Sequence, residues 1–178
     1  MIIAKNNQYT LRTWEESDAE SLTAQLNNKK IWDNCRDGLP YPYRLENAHA
    51  ILDIIRQKEG IHDFCIEVDG RAVGNIGFMP ETDVQRFNAE VGYIVGEAYW
   101  NRGIATNALQ DAIRYYFDHT PIVRVFAFVF DYNRPSMRVL EKAGFSKIGV
   151  MKRSIYKNGA FHDAHYYELV NEPNTIIR

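Results

Sequence analysis

The sequence predicts an α/β fold: a mixed, largely antiparallel sheet of six or seven strands in a single domain, flanked by helices. Three observations lead there. The hydrophobic period switches between two and helical spacing along the chain. Asp69-Gly70 and Asn158-Gly159 each separate two strand-like runs, as hairpin turns do. The run 88–95 reaches the next strand, 123–130, only through a helical stretch, which is a parallel-type crossover.

The elements follow in order. Residues 9–14 read as a first strand. Ser17 or Asp18 can cap a helix carrying Leu22 and Leu26, and 29–35 allow another short helical turn. Pro40 and Pro42 exclude regular structure from 37–43, and its aromatics predict a shaped loop. Residues 45–58 return to helical spacing, with Ala48, Ile51, Leu52 and Ile55 on one face. Residues 64–68 and 72–78 form a hairpin, 80–87 a polar connection, and 88–95 the next strand. After the helix to Phe117, the apolar run 123–130 suits a central strand. Pro135 opens a further helix that Gly144 ends. Residues 147–155 and 160–170 make the last hairpin. The domain spans 1–170, and 171–178 is a polar tail.

With 178 residues the chain suits one sizeable core. Hydrophobic residues at 46% and charged residues at 25% exclude a disordered chain. A net charge of −2 gives no bulk reason to expect nucleic acid or a membrane as partner. Cys35 and Cys65 are too few for a disulfide scaffold, so reduced thiols are expected. No secretory leader pattern or bilayer-length apolar run is present, and the expected location is cytoplasmic.

The chain is organised around 89–117: an apolar strand, a turn with Gly103 and small Ala105, and a helix. The first amides of a helix have no partner within it, and the dipole adds positive charge at the same end. Thr106 can add a hydroxyl and Arg102 a charge, so the turn suits a pyrophosphate. The plainer alternative is a glycine that merely permits a tight turn. Neither a Gly-x-x-x-x-Gly-Lys-Ser/Thr nor a Gly-x-Gly-x-x-Gly loop occurs.

Three blocks then stand in order on these elements. They are Ala89-Glu90-Val91-Gly92-Tyr93, Tyr99-Trp100-Asn101-Arg102-Gly103-Ile104-Ala105-Thr106, and Asn133-Arg134-Pro135-Ser136 followed by Glu141-Lys142-Ala143-Gly144-Phe145. Together they resemble the GNAT acetyltransferase superfamily over nearly the whole chain. The nearest branch is that of the ribosomal-protein N-terminal acetyltransferases. Trp100 departs from the Gln/Arg that begins the family's phosphate loop, although tryptophan is usual in this branch. The resemblance implies that the amides of Asn101, Arg102, Gly103, Ile104, Ala105 and Thr106 hold the pyrophosphate of acetyl-CoA. It implies that the strand ending at Val95 splays from 123–130. The pantetheine arm then lies in the gap against backbone at Ile94 and Val95, with Asn133 on its other side. No metal is implied.

Acetyl transfer needs a deprotonated amine, an oriented thioester, a stabilised oxyanion and a leaving thiolate. An α-amine with a pKa of roughly 8 costs only about 1.4 kcal/mol to neutralise at pH 7, against about 4.6 for a lysine near 10.4. A carboxylate acting through water can therefore serve an α-amine. Glu90 is the first candidate base, against a plain surface carboxylate, and Glu67 on a neighbouring strand is the second. Ser136 matches the family position proposed to protonate the thiolate, against a role in helix capping. Tyr132 is the alternative donor. Asn133 can also cap the following helix. Trp32, Tyr41 and Tyr43 are candidates to line the acceptor cleft, or to pack beneath a long loop. His162 and His165 fall on opposite faces of a strand, which disfavours a zinc site.

The expected function is acetyl transfer from acetyl-CoA to a protein or peptide α-amine. The competing readings are a small-molecule amine acceptor (polyamine, amino sugar or amino acid) and an acyl-CoA-binding module without turnover. The expected partner is the amine acceptor, and the expected state is monomer or homodimer.

Overall fold

The computed structural model describes residues 1–171. Its elements are β1 (Ile2–Lys5), β2 (Thr10–Arg12), α1 (Ala19–Leu26), α2 (Lys29–Trp32), α3 (Leu45–Gln57), β3 (Asp63–Val68) and β4 (Arg71–Pro80). There follow β5 (Asn88–Val95), α4 (Ile104–His119), β6 (Arg124–Phe130), α5 (Arg134–Lys142), β7 (Ser146–Lys157) and β8 (Ala160–Val170). The predicted tail beyond Asn171 lies outside the described residues. No helix among them is long and apolar enough to cross a membrane.

The strands form one mixed sheet of eight, in the order β1-β2-β3-β4-β5-β6-β8-β7. The predicted count of six or seven is thus one short or more. The strand missing from the sequence reading is β1, four residues without alternation, held by pairing to β2 and by Thr13 N–H donating to Met1 O at 2.9 Å. The central crossover predicted at α4 is present: β5 and β6 are the one parallel pair among the described strands.

Local chemistry explains the corners. Asp69 and Gly70 have φ of 49° and 73°, and Asn158 and Gly159 have 51° and 81°. Both turns therefore use the two left-handed residues that a tight hairpin needs. Asn133 caps α5, its side-chain oxygen accepting from Ser136 N–H at 3.2 Å.

Each face of the sheet has its own core. One lies under α4 and α5, with Val91, Val95, Leu109, Tyr116, Val125, Met137 and Leu140. The other lies under α1 and α3, with Leu22, Leu26, Leu52, Cys65 and Ala72. Across this second core runs a buried ion pair, Arg12 to Asp18 at 2.7 Å, extended by Arg12 Nε donating to Glu67 at 2.5 Å. Both cysteines are free thiols, and burial pushes Cys35 up to about 11.

Candidate active site

β5 and β6 pair only at Asn88–Arg124, Ala89–Val125 and Glu90–Phe126. Beyond Glu90 the two strands part, which leaves a gap whose vertex is Glu90. One side of β5 stays bonded to β4 through Val95, and Gly96 N–H donates to Val73 O at 2.8 Å. The Ile94 carbonyl is turned to β4, where it would lie 2.6 Å from a Cβ on Gly74. This corrects the expectation that Ile94 faces the gap. The Val95 carbonyl accepts the Trp100 indole N–H at 2.6 Å, so Trp100 closes the corner from strand to loop.

At the mouth of the gap the chain turns through Asn101 (φ 60°) and Gly103 (φ 78°) into α4. Gly103 is the N-cap residue. The amides of Ile104, Ala105 and Thr106 begin the helix with no acceptor behind them. The loop is braced from outside: Gln8 donates to the Arg102 carbonyl at 3.3 Å, and the Arg102 guanidinium lies over the Tyr99 ring. A left-handed turn with open amides, no side-chain cap and a nearby cation fits a pyrophosphate.

The two faces of the gap carry different groups. Toward α4 and α5, Tyr93 Oη lies 2.7 Å from Ser136 Oγ and donates to the Ser136 carbonyl at 3.0 Å. Burial raises the Tyr93 hydroxyl well above the ordinary tyrosine range, so it stays protonated. The sequence reading missed Tyr93, whose contact with Ser136 spans 43 residues.

On the opposite face stands Glu90, its side chain 15% exposed and paired with Arg36. Gly92 is two residues along on the same face, and Gly77 is its register partner on β4. A Cβ on Gly92 would meet nothing within 4 Å. The surface beside Glu90 is therefore open over Gly92, while at Gly77 it is closed by Asp63, whose Oδ1 would lie 3.0 Å from a Cβ there. Asn75 follows Gly77 on this face, with a buried side-chain oxygen that has no partner among the described residues. Arg36 reaches Glu90 from the segment 33–43, which is strapped to the β7–β8 hairpin. Lys157, 2% exposed, pairs with Asp37 at 2.7 Å and sits 3.5 Å over the Trp32 ring. Asn158 donates to Asp33 at 2.8 Å, and Tyr132 Oη donates to the Asp33 carbonyl at 2.5 Å.

Three sequence candidates are drawn elsewhere. Glu67 is committed to Arg12 on the α1–α3 side, two strands from β5, so it is not positioned as a base. Tyr43 is a core residue at 4% exposure, because Asn27 and the second core hold the end of the proline-rich loop. The Tyr132 hydroxyl serves the strap to Asp33, and burial with nearby acids pushes it up to about 12. Trp32 and Tyr41 do border the segment that carries Arg36, their rings 5.7 Å apart. His162 pairs with Asp131 at 3.3 Å and packs on the Tyr132 ring.

A sheet that parts between two parallel strands, with a helix N-terminus at the mouth of the gap, defines an acyl-CoA-dependent transferase. The chain belongs to the GNAT acetyltransferase family: the Acetyltransferase (GNAT) domain matches residues 8–146. It is an acetyl-CoA-dependent N-acetyltransferase. Among its relatives is the uncharacterized N-acetyltransferase YoaA of Bacillus subtilis (strain 168), 30% identical over 94% of this chain and 96% of that one. The putative ribosomal N-acetyltransferase YdaF of the same organism is 33% identical over 93% and 92%. In fold the chain is similar to a spermidine N-acetyltransferase from Vibrio cholerae, solved in complex with CoA and spermine. That structure gives a TM-score of 0.78 at 20% identity, over 93% of this chain and 97% of that one.

Proposed function

We propose that the enzyme acetylates the α-amine of a protein or peptide N-terminus. The observation that carries this reading is the open surface over Gly92, two residues from Glu90 on the same face, where a Cβ would meet nothing within 4 Å. A small-molecule site ordinarily encloses most of its ligand. Here the acceptor side is open, with a clear path over Gly92. Two shallow depressions, of about 470 and 490 Å³, lie elsewhere, at Lys58–Pro80 and along α5. An open side admits a chain end whose remainder stays in solvent. The relationship to YdaF, a putative ribosomal N-acetyltransferase, agrees with it.

Acetyl-CoA supplies the activated acetyl thioester. The amides of Asn101 to Thr106 would hold its pyrophosphate, with Val95 and Asn133 along its arm. Glu90 takes the acceptor's proton, directly or through a water; for an α-amine the deprotonation costs only about 1.4 kcal/mol at pH 7. Ser136, oriented by Tyr93 and by the Asn133 cap, donates a proton to the departing sulfur from the other face. Base and acid thus flank the gap from opposite sides of the sheet and do not exchange protons with each other.

The test is thiol release from acetyl-CoA against N-terminal peptides, lysine-bearing peptides, polyamines and amino sugars. N-terminal peptides are expected to turn over fastest. Glu90→Gln is expected to lower kcat by about a hundredfold, the scale of a lost general base, and Ser136→Ala by less, with acetyl-CoA still bound. Preference for a polyamine or an amino sugar would refute the acceptor assignment. Unimpaired Glu90→Gln would refute the base.

A further inference from the structure

We propose that Arg36 selects the acceptor, and that the preferred substrates are α-amines carrying a carboxylate a few bonds away. The inference rests on the α-amine chemistry of the reading above and adds a carboxylate requirement to it, which a free amino acid could also meet. Glu90 stands at the vertex of the gap, and the partner on its carboxylate is a guanidinium from a distant loop. The side chain of Arg36 is 65% exposed, so it can swing without unfolding anything. The chain on either side of it is pinned, by Asp33 to Asn158 and by Asp37 to Lys157. The other acids of the segment have their own cations: Asp33 pairs with Lys29, and Asp37 with Lys157. Arg36 is therefore fixed at its root, mobile at its tip, and neutralised by Glu90.

An acceptor arrives as an ammonium and must take Arg36's place on Glu90. A purely cationic acceptor, such as a polyamine, would leave the guanidinium without a counter-charge and next to a second cation. Like charges at a shared site oppose binding. A zwitterion solves both problems. Its ammonium pairs with Glu90 and its carboxylate with Arg36, where a planar guanidinium can bind both oxygens at once. One ion pair opens into two, and no charge is left over. Because Arg36 and Glu90 touch before the acceptor arrives, the acceptor's two charges must lie close together. That describes the α-carboxylate of a free amino acid, or the side chain of an N-terminal Asp or Glu. In the reaction the ammonium first gives one proton to Glu90, and the free amine attacks the thioester carbonyl. As the N–C bond forms and C–S breaks, the second nitrogen proton passes to solvent, and sulfur takes a proton from Ser136, which solvent restores.

The experiment compares kcat/KM on the full chain by thiol release. One arm uses amidated peptides identical except for a first residue of Ala, Lys, Asp or Glu. The other uses free alanine and glutamate with their amides, and spermidine is the cationic control. Carboxylate-bearing acceptors are expected to exceed their neutral counterparts by about tenfold, the scale of one charge-assisted hydrogen bond. Arg36→Gln is expected to bring that ratio near one, and Arg36→Lys to restore part of it. A ratio in the peptide arm places the carboxylate on an N-terminal Asp or Glu, whereas a ratio confined to the free amino acids upholds Arg36 as the selector and overturns the peptide assignment. A ratio near one in the wild type, or a ratio that survives Arg36→Gln, overturns the inference and leaves the α-amine reading standing. Spermidine turned over faster than every α-amine, or no turnover on any α-amine, overturns both.

Discussion

On the α4–α5 face of the gap, the turn proposed to hold the pyrophosphate belongs to the continuous stretch 88–106, and its geometry is carried by backbone. On the opposite face, Arg36, Gly77, Glu90 and Lys157 converge from four segments, and the geometry is carried by side chains. The first face is fixed by where a strand ends and a helix begins, and asks little of residue identity beyond Gly103. The second is set by a strap that can change its amino acids without disturbing the sheet.

The sharpest way to break the contrast is at Gly103. Its φ of 78° is left-handed, and a Cβ there would meet only the Asn107 side-chain nitrogen at 3.9 Å. Conformation, and not crowding, requires the glycine. Gly103→Val is expected to weaken acetyl-CoA binding roughly tenfold, since the left-handed region costs an ordinary residue about 1–2 kcal/mol. Gly103→Asn, which tolerates that region, should retain most of the affinity. Calorimetric titration of acetyl-CoA reads both variants. Equal losses in the two would mean that bulk, and not backbone, governs the turn.

The same contrast explains what the sequence made legible. The run 88–95, the turn at Gly103 and the Asn133–Ser136 cap are local, so period and turn chemistry expose them. Arg36 has no such signal: its meaning depends on a loop folding back onto Glu90, 54 residues away. Gly77 and Gly92 read as unremarkable strand glycines until the β4–β5 register sets them side by side. Glu67 looked like Glu90 because both are glutamates on strands of the same sheet, although β4 lies between them. What separates them is that a buried arginine from β2 had already claimed Glu67. Tyr43 carried the same aromatic, proline-flanked signature as Tyr41, and tertiary packing alone decided which was buried.

A smaller effect tests whether the strap serves the acceptor alone. Lys157 is buried between Asp37 and the Trp32 ring. Lys157→Met keeps the volume and removes the charge. Replacing a buried cation by an apolar side chain of similar size is often close to neutral for stability. Asp37 stays in water when its partner is lost, because its side chain is 72% exposed. The segment carrying Arg36 then loses an anchor worth about 1 kcal/mol as a cation–π contact. Acceptor KM is expected to rise several-fold while the acetyl-CoA dissociation constant stays within about twofold. A comparable loss of acetyl-CoA affinity would show that the two faces are coupled.

The smallest expected effect is on acid stability, and it isolates the other end of the strap. Hydrogen bonds from Lys29 and then from Asn158 hold the Asp33 carboxyl below its ordinary value of 3.8. A carboxyl depressed in the folded state contributes stability that is fully present above the unfolded value and is lost as pH falls through the folded one. Above pH 3.8 the bonds to Asp33 therefore support the fold, and below the depressed value they no longer do. Asp33→Asn removes the charge at every pH. The urea midpoint of the variant is expected to lie slightly below that of the wild type at pH 6, by the modest amount of an exposed pair. The two should converge as pH falls through the window below 3.8. Parallel curves from pH 6 to 3 would mean that the Asp33 charge adds nothing, and that the Tyr132 bond to the Asp33 carbonyl, which does not titrate in this range, holds the strap instead.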